Sequence, residues 1–257
     1  MRVKVIGGGL AGSECAYQLL KRGYDVDLYE MRGVKNTPCH STDKLAELVC
    51  SNSLKAQSMD NASGLLKYEL ARLDSLILKC AYASDVPAGG ALAVDRDKFS
   101  ALIESRLREF GGFRLIREEV KEIDSSQPVV IATGPLTSDA MSECIAKLLG
   151  GDYLHFFDSV APIVEADSID YDKAFFAARY GKGDADYLNC AMNKEQYIEF
   201  RNQLVNAERA QLKDFEINVF ERCMPIEIMA GRGEDTMRYG PLRPVGIRNP
   251  HSDERPY

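Results

Sequence analysis

The sequence predicts an α/β fold: a parallel sheet layered with helices, followed by a mixed α+β segment. Three observations carry this. A β-branched run, a glycine cluster and an amphipathic stretch follow one another within the first thirty residues and lead into a second alternating run. The short apolar runs Arg114-Leu115-Ile116 and Pro128-Val129-Val130-Ile131-Ala132 are bounded by turn signals, as strands of a parallel sheet are. Beyond Gly134 tyrosine and phenylalanine become frequent and the spacings irregular, which marks a second domain starting there.

Each element has its own signal. Val3-Lys4-Val5-Ile6 alternates and suits a short strand, broken by Gly7 to Gly9. From Leu10 to Arg22 the apolar residues Leu10, Ala11, Cys15, Ala16, Leu19 and Leu20 recur at helical spacing, and Gly23 stands where a helix-ending glycine belongs. Tyr24 to Glu30 alternates as a second strand, which completes a β-α-β unit. Residues 33–58 read as a loop around a short helix. One helical face runs through Leu66, Leu70, Leu73, Ile77 and Cys80 between Gly64 and Ala83. Another runs through Phe99, Leu102, Ile103, Leu107 and Phe110, with Asp95 or Asp97 at its N-cap. These two helices flank a glycine-rich break at Pro87 to Gly90, and a long amphipathic helix is predicted from Lys194 to about Leu212.

The chain has 257 residues, 45% hydrophobic and 28% charged, a balance that excludes disordered and collagenous classes. Thirty-nine acids against 32 bases leave a net charge of −7, which argues against a surface that is a polyanion receptor throughout. Residues 221–257 hold six arginines and six acids, so an anion site is expected there sooner than elsewhere. No apolar run reaches the roughly 18 residues of a membrane-spanning helix, and the N-terminus lacks the features of a secretory signal, so no membrane partner and a cytoplasmic location are expected. Seven cysteines form no Cys-x-x-Cys pair, which suggests neither a disulfide framework nor a zinc ribbon; no metal site is expected.

Gly7-x-Gly9-x-x-Gly12 lies between a predicted strand and a predicted helix, and Glu30 closes the next strand. The first glycine permits a tight turn, the second lets backbone amides approach a pyrophosphate, and the third allows close helix-strand packing. The helix start favours the negative charge, and an acid at Glu30 would accept hydrogen bonds from a ribose diol. This pattern predicts a Rossmann-like dinucleotide-binding domain over residues 1–136, with Gly7, Gly8, Gly9, Leu10, Ala11, Gly12 and Glu30 as its contacts. The run Val130-Ile131-Ala132-Thr133-Gly134 resembles the strand and Ala-Thr-Gly turn of flavoproteins of the two-dinucleotide-fold type, which favours FAD over NAD and adds Gly134 to the cofactor residues. An ordinary strand ending at a glycine turn explains the same run.

Cys50, in Leu48-Val49-Cys50-Ser51-Asn52-Ser53-Leu54-Lys55, and Cys223, in Phe220-Glu221-Arg222-Cys223-Met224-Pro225-Ile226-Glu227, have polar neighbours. A cysteine attacks as its thiolate, which needs a nearby cation or helix N-terminus, and Arg222 with the arginines after it supplies cations near Cys223. Cys15, Cys80 and Cys144 fall within helical patterns and read as small core residues.

These two contexts do not stand alone. Together with Gly7 to Glu14, His40-Ser41-Thr42, Pro87 to Arg96, Ala132 to Leu136 and Arg238 to Gly246, they resemble, nearly end to end, the folate- and FAD-dependent tRNA (uracil-5-)-methyltransferase family. The resemblance implies transfer of the methylene group of methylenetetrahydrofolate to C5 of a T-loop uridine in tRNA, with reduced FAD supplying electrons and NADH or NADPH recharging it. It implies Cys223 as the nucleophile that adds to uracil C6 and Cys50 as a second essential thiol. Arg238 and Arg243 become candidates for phosphate or enolate contacts, against ion pairs with Glu227, Glu234 or Asp235. His40 becomes a candidate acid-base group, against a hydrogen-bonded loop histidine.

By the same resemblance residues 137–243 form an insertion domain that meets substrate, and 244–257 begin a return to the FAD domain. Members of that family are longer, so the chain reads as C-terminally truncated, ending before strands that complete the flavin pocket. Two further readings fit the same residues: a generic FAD/NAD(P)H oxidoreductase, which would not need Cys50 and Cys223, and a non-catalytic nucleotide-binding remnant.

Overall fold

The computed structural model describes residues 1–37, 39–49, 51–124, 126–150, 164–181, 184–208 and 225–257. By contact the chain divides into two units, one of residues 1–86 and 91–158, the other of 87–90 and 159–257.

The first unit is built on a parallel sheet. Strand β1 (Arg2–Ile6) lies between β2 (Asp25–Glu30) and β7 (Val129–Ile131), and β6 (Phe113–Arg117) adds to the far edge of β2, in the order β6-β2-β1-β7. Val5 stands opposite Leu28 on one side and Val130 on the other. Because side chains alternate across a strand, the sheet fills two layers. Val3, Val5, Val26 and Leu28 pack on helices α1 (Leu10–Lys21), α3 (Leu76–Ala83) and α4 (Arg96–Arg108), whose Ala16, Leu78, Phe99 and Ile103 are buried. Ile6 and Tyr29 face the opposite way, toward Val120 and toward Met141 of α5 (Asp139–Leu149).

The expected β-α-β unit forms as the pattern dictates. Gly23 ends α1 at φ +82°, a conformation costly for any residue with a Cβ, and its amide donates to Leu20 O. Asp95 is the N-cap of α4, its Oδ1 accepting from the Lys98 amide at 3.0 Å.

Three expectations are corrected. The face between Gly64 and Ala83 belongs to two helices, α2 (Ala62–Arg72) and α3. Asp74 turns to φ +63°, Ser75 caps α3, and the Glu14 carboxylate accepts from Ser75 Oγ at 2.8 Å, Leu76 N at 3.2 Å and Ile77 N at 3.0 Å. A carboxylate from α1 thus compensates the exposed amides of a new helix start. No short helix occurs among the described residues of 33–58; they hold turns and strand β3 (Ser53–Ala56). That strand pairs antiparallel with β5 (Ala91–Val94), and β4 (Asp85–Val86) pairs with the other edge of β5, so strands rather than helices adjoin the break at Pro87 to Gly90.

The second unit is mixed α+β. Strands β8 (Ala174–Phe176) and β9 (Leu188–Cys190) pair antiparallel, and α6 (Lys194–Asn206) and α7 (Ile226–Arg232) enclose Tyr197, Ala230 and Met237. The predicted long helix starts at Lys194, where Asn193 and Gln196 form a capping box, but ends at Asn206; Ala207 has already left helical conformation at ψ 151°.

Asp27 pins the sheet edge: its carboxylate accepts from Arg2 at 2.6 Å and from Arg114 at 2.6 and 2.5 Å, joining β1, β2 and β6. The Arg114 hydrogen bonds, helped by Arg2, hold its carboxyl below the ordinary 3.8. The stabilisation is therefore complete above that value and fades as pH falls through the lowered one. Asp27→Asn is expected to cost about 1–2 kcal/mol near neutrality, since both arginines reach solvent, and to flatten the acid limb of the stability curve below pH ~4 in urea titrations.

Candidate nucleotide site

Strand β1 ends at Ile6, and the chain turns through three glycines into α1. Gly7 sits at φ +105°, and a Cβ there would lie 2.5 Å from Ala132 O. A Cβ on Gly12 would lie 1.8 Å from Gly7 O, so the helix backbone rests directly on the turn. Gly9, the N-cap of α1, is different: φ is −73°, ψ is −167°, and nothing stands within 4 Å of a Cβ built on it. The first amides of α1 have no intrahelical acceptor, no side chain caps them, and no acid lies in the first turn. Open space in front of unpaired amides at the positive end of a helix dipole suits an anion.

Glu30, at the end of β2, is buried, and its carboxylate accepts three hydrogen bonds, which leaves one of its four acceptor positions open. Oε2 accepts from Gly8 N at 2.8 Å and from Arg32 Nη2 at 3.0 Å, while Oε1 accepts from Arg32 N at 2.9 Å. Burial works against its charge, yet the Arg32 and Gly8 hydrogen bonds outweigh it and hold the carboxyl below the ordinary carboxylate value. Arg32 is only 2% exposed and also donates from Nη1 to Glu47 Oε2 at 3.1 Å. Glu47 in turn accepts from the amides of Ser41 and Thr42 at 2.9 and 3.2 Å and from Thr42 Oγ1 at 2.9 Å. The neighbouring Ala46 amide donates to Gly8 O at 2.8 Å, and Leu45 and Ala46 are wholly buried.

Around this turn lies an open cleft with a cavity volume of about 80 Å³. Ile6, Tyr29, Val120, Leu136 and Met141 give it apolar walls, and Glu30, Glu118, Glu119, His40, Thr133 and Ser138 give it polar ones. Apolar walls with a few polar groups are the usual make-up of a cofactor site. His40 Nδ1 lies 2.6 Å from Thr37 Oγ1, and burial, with the Arg32 charge adding to it, pushes its pKa down, so the ring is neutral at physiological pH.

The expected site residues fall into three groups. Gly7, Gly9 and Glu30 line the cleft, and Gly8, Leu10, Ala11 and Gly12 belong to the same turn and helix start; Gly134, at φ +64°, opens a short 3-10 turn after β7 between the cleft residues Thr133 and Leu136. In the second unit, Arg238 pairs with Asp235 at 2.6 Å and stacks 3.6 Å from the Tyr257 ring, while Arg243 is exposed. Cys50 and Cys223 lie outside the described residues. Burial pushes the thiols of Cys15 and Cys80 up, the latter to about 11, which suits core residues rather than nucleophiles. Pattern reading passes over Arg32, Glu47 and Glu14; the only trace is an arginine two positions after the acid that ends the second strand.

A parallel sheet, a glycine turn leading into a helix and an acid closing the second strand define a Rossmann-like α/β protein. The chain belongs to the family described as glucose inhibited division protein A, whose model matches residues 2–255. It is 58% identical over 258 residues to the methylenetetrahydrofolate–tRNA-(uracil-5-)-methyltransferase TrmFO of Natranaerobius thermophilus, covering 100% of this chain and 60% of that one. It is 57% identical to the Lactobacillus helveticus protein of the same name, covering 99% of this chain and 63% of that one. The chain thus spans about 60% of the length of these curated relatives. Among solved structures, glycine oxidase from Geobacillus kaustophilus is 16% identical with a TM-score of 0.39, over 58% of each chain.

The glycines have separable duties. Gly12→Ala is expected to abolish folding, since its methyl would meet the Gly7 carbonyl. Gly9→Val, in open space and extended conformation, should cost about 1 kcal/mol at the N-cap, while a diphosphate nucleotide seated at this turn would lose two orders of magnitude or more in affinity. Thermal unfolding beside a flavin titration distinguishes the two; unchanged affinity in Gly9→Val would exclude a pyrophosphate at this turn.

Proposed function

We propose that residues 1–136 hold the ADP half of FAD, with the diphosphate against the amides of Gly9, Leu10 and Ala11, the ribose diol at Glu30, and Gly7, Gly8, Gly12 and Gly134 shaping the cradle. The observation that carries this is the open face of Gly9 beside a buried, ionised Glu30. The fit is steric as well as electrostatic: a side chain at residue 9 would fill the space the diphosphate needs, and none is present.

The name of the curated relatives supplies the reaction: methylenetetrahydrofolate-dependent C5-methylation of a tRNA uridine, the T-loop uridine by resemblance. Bound in the cleft, the flavin supplies the two electrons that bring the transferred carbon to the methyl level, with NADH or NADPH as the ultimate reductant. Uracil C5 is a feeble nucleophile until a group adds at C6. The Cys223 thiolate adds there, and the C5 enolate attacks the folate methylene carbon, breaking one of its C–N bonds. Loss of the C5 proton expels the other folate nitrogen, the exocyclic methylene left on C5 takes up the hydride equivalent that the reductant supplies, and the thiolate departs as the C5–C6 double bond re-forms. Cys50 serves as the second thiol.

The substrate domain falls within residues 137–243, its compact part being 159–243 because 137–158 group with the first unit; there Arg243 is exposed and able to meet an RNA phosphate, while Arg238 is tied to Asp235 and Tyr257. Residues 244–257 begin the return to the FAD domain. A tRNA substrate places this work in the cytoplasm. Among the described residues, no helix is long and apolar enough to cross a membrane.

Covalent trapping tests the nucleophile. The chain loaded with FAD is expected to form a gel-stable adduct with a T-loop RNA carrying 5-fluorouridine, and Cys223→Ala to lose it entirely. An adduct that survives the substitution removes Cys223 from this role.

A further inference from the structure

An acid at the end of the second strand selects a ribose 2′-hydroxyl, whereas a nearby arginine accommodates a 2′-phosphate. Glu30-Met31-Arg32 offers both, and the structure decides between them by where it puts the guanidinium. We propose that Glu47 is a specificity-determining positioning residue: by holding Arg32 down it keeps the ribose end of the cleft anionic, so the site takes a nucleoside diphosphate with a free 2′-hydroxyl and rejects one bearing a 2′-phosphate. This rests on the dinucleotide reading above.

Arg32 is 2% exposed, and its Nη1 and Nη2 point at Glu47 and Glu30. One cation is shared between two carboxylates, so the group keeps a net negative charge. The cleft adds Glu118 and Glu119 on its wall, and Lys35 answers only the second of these, at 2.7 Å. Arg117 is turned away, its Nη1 donating to Arg32 O at 3.4 Å and its Nη2 lying 3.8 Å from Asp43. His40, the remaining basic group on the wall, is neutral. A phosphate dianion at the ribose would therefore meet like charge, and among the described residues that line the cleft no unpaired cation is left to receive it; a desolvated mismatch of that kind is an effective way to refuse a ligand.

Glu47 is suited to fix this state. Its two oxygens accept four hydrogen bonds, three of them from Ser41 and Thr42, so its position follows from the 41–47 backbone and not from the ligand. Removing its charge while keeping an acceptor frees the guanidinium to turn toward the cleft.

The test is calorimetric titration of the flavin-free chain with ADP-ribose and with its analogue phosphorylated on the adenosine 2′-oxygen. The wild type is expected to prefer ADP-ribose by about 100-fold or more, and Glu47→Gln to narrow that ratio by about 10-fold or more through tighter binding of the phosphorylated ligand. A merely structural role for Glu47 would weaken both ligands together and leave the ratio alone, which would overturn the proposal. Equal affinities in the wild type would overturn it even should the variant not fold. If ADP-ribose itself fails to bind, the dinucleotide reading falls first and this inference with it.

Discussion

A single buried carboxylate organises the first unit. Glu30 accepts from the Gly8 amide, from the Arg32 backbone and from the Arg32 guanidinium. It thereby ties the glycine turn to the end of β2 and, through Arg32 and Glu47, to the segment that covers Gly8. A charge taken out of water is sustained only when its hydrogen bonds are met, and here three donors meet it. The turn, the strand end and the covering segment are consequently one electrostatic assembly, and the shape of the cleft follows from it.

Much of this was legible in the sequence because the signals were local. The β-α-β unit, its glycine stop at Gly23, the Asp95 cap and the helix start at Lys194 each depend on residues within a few positions of one another. What escaped was decided at a distance. The helix expected between Gly64 and Ala83 keeps one apolar face through its break, and the break is fixed by Glu14, some sixty positions earlier. Strands β3, β4 and β5 have four residues or fewer, too short for period-two patterning to show, and they exist because each edge finds a partner.

The site divides in the same way. The glycines and Glu30 announce themselves by spacing, since each answers a geometric need of the turn. Arg32 and Glu47 do not, because a charged residue reads as solvent-facing until burial shows otherwise. For Arg238 the structure favours the bland alternative, an ion pair with Asp235 and a stack on Tyr257. The two thiols proposed to carry methyl transfer, Cys50 and Cys223, rest on resemblance rather than on geometry.

The central claim is that an anionic diphosphate rests on the open amides at the start of α1. Amide chemical-shift mapping of the isotope-labelled chain during an ADP titration tests it most directly. The account predicts that the largest shifts fall on Gly9, Leu10 and Ala11, with Gly8 and Arg32 next as Glu30 responds. Shifts centred in the second unit, with the glycine turn silent, would contradict it.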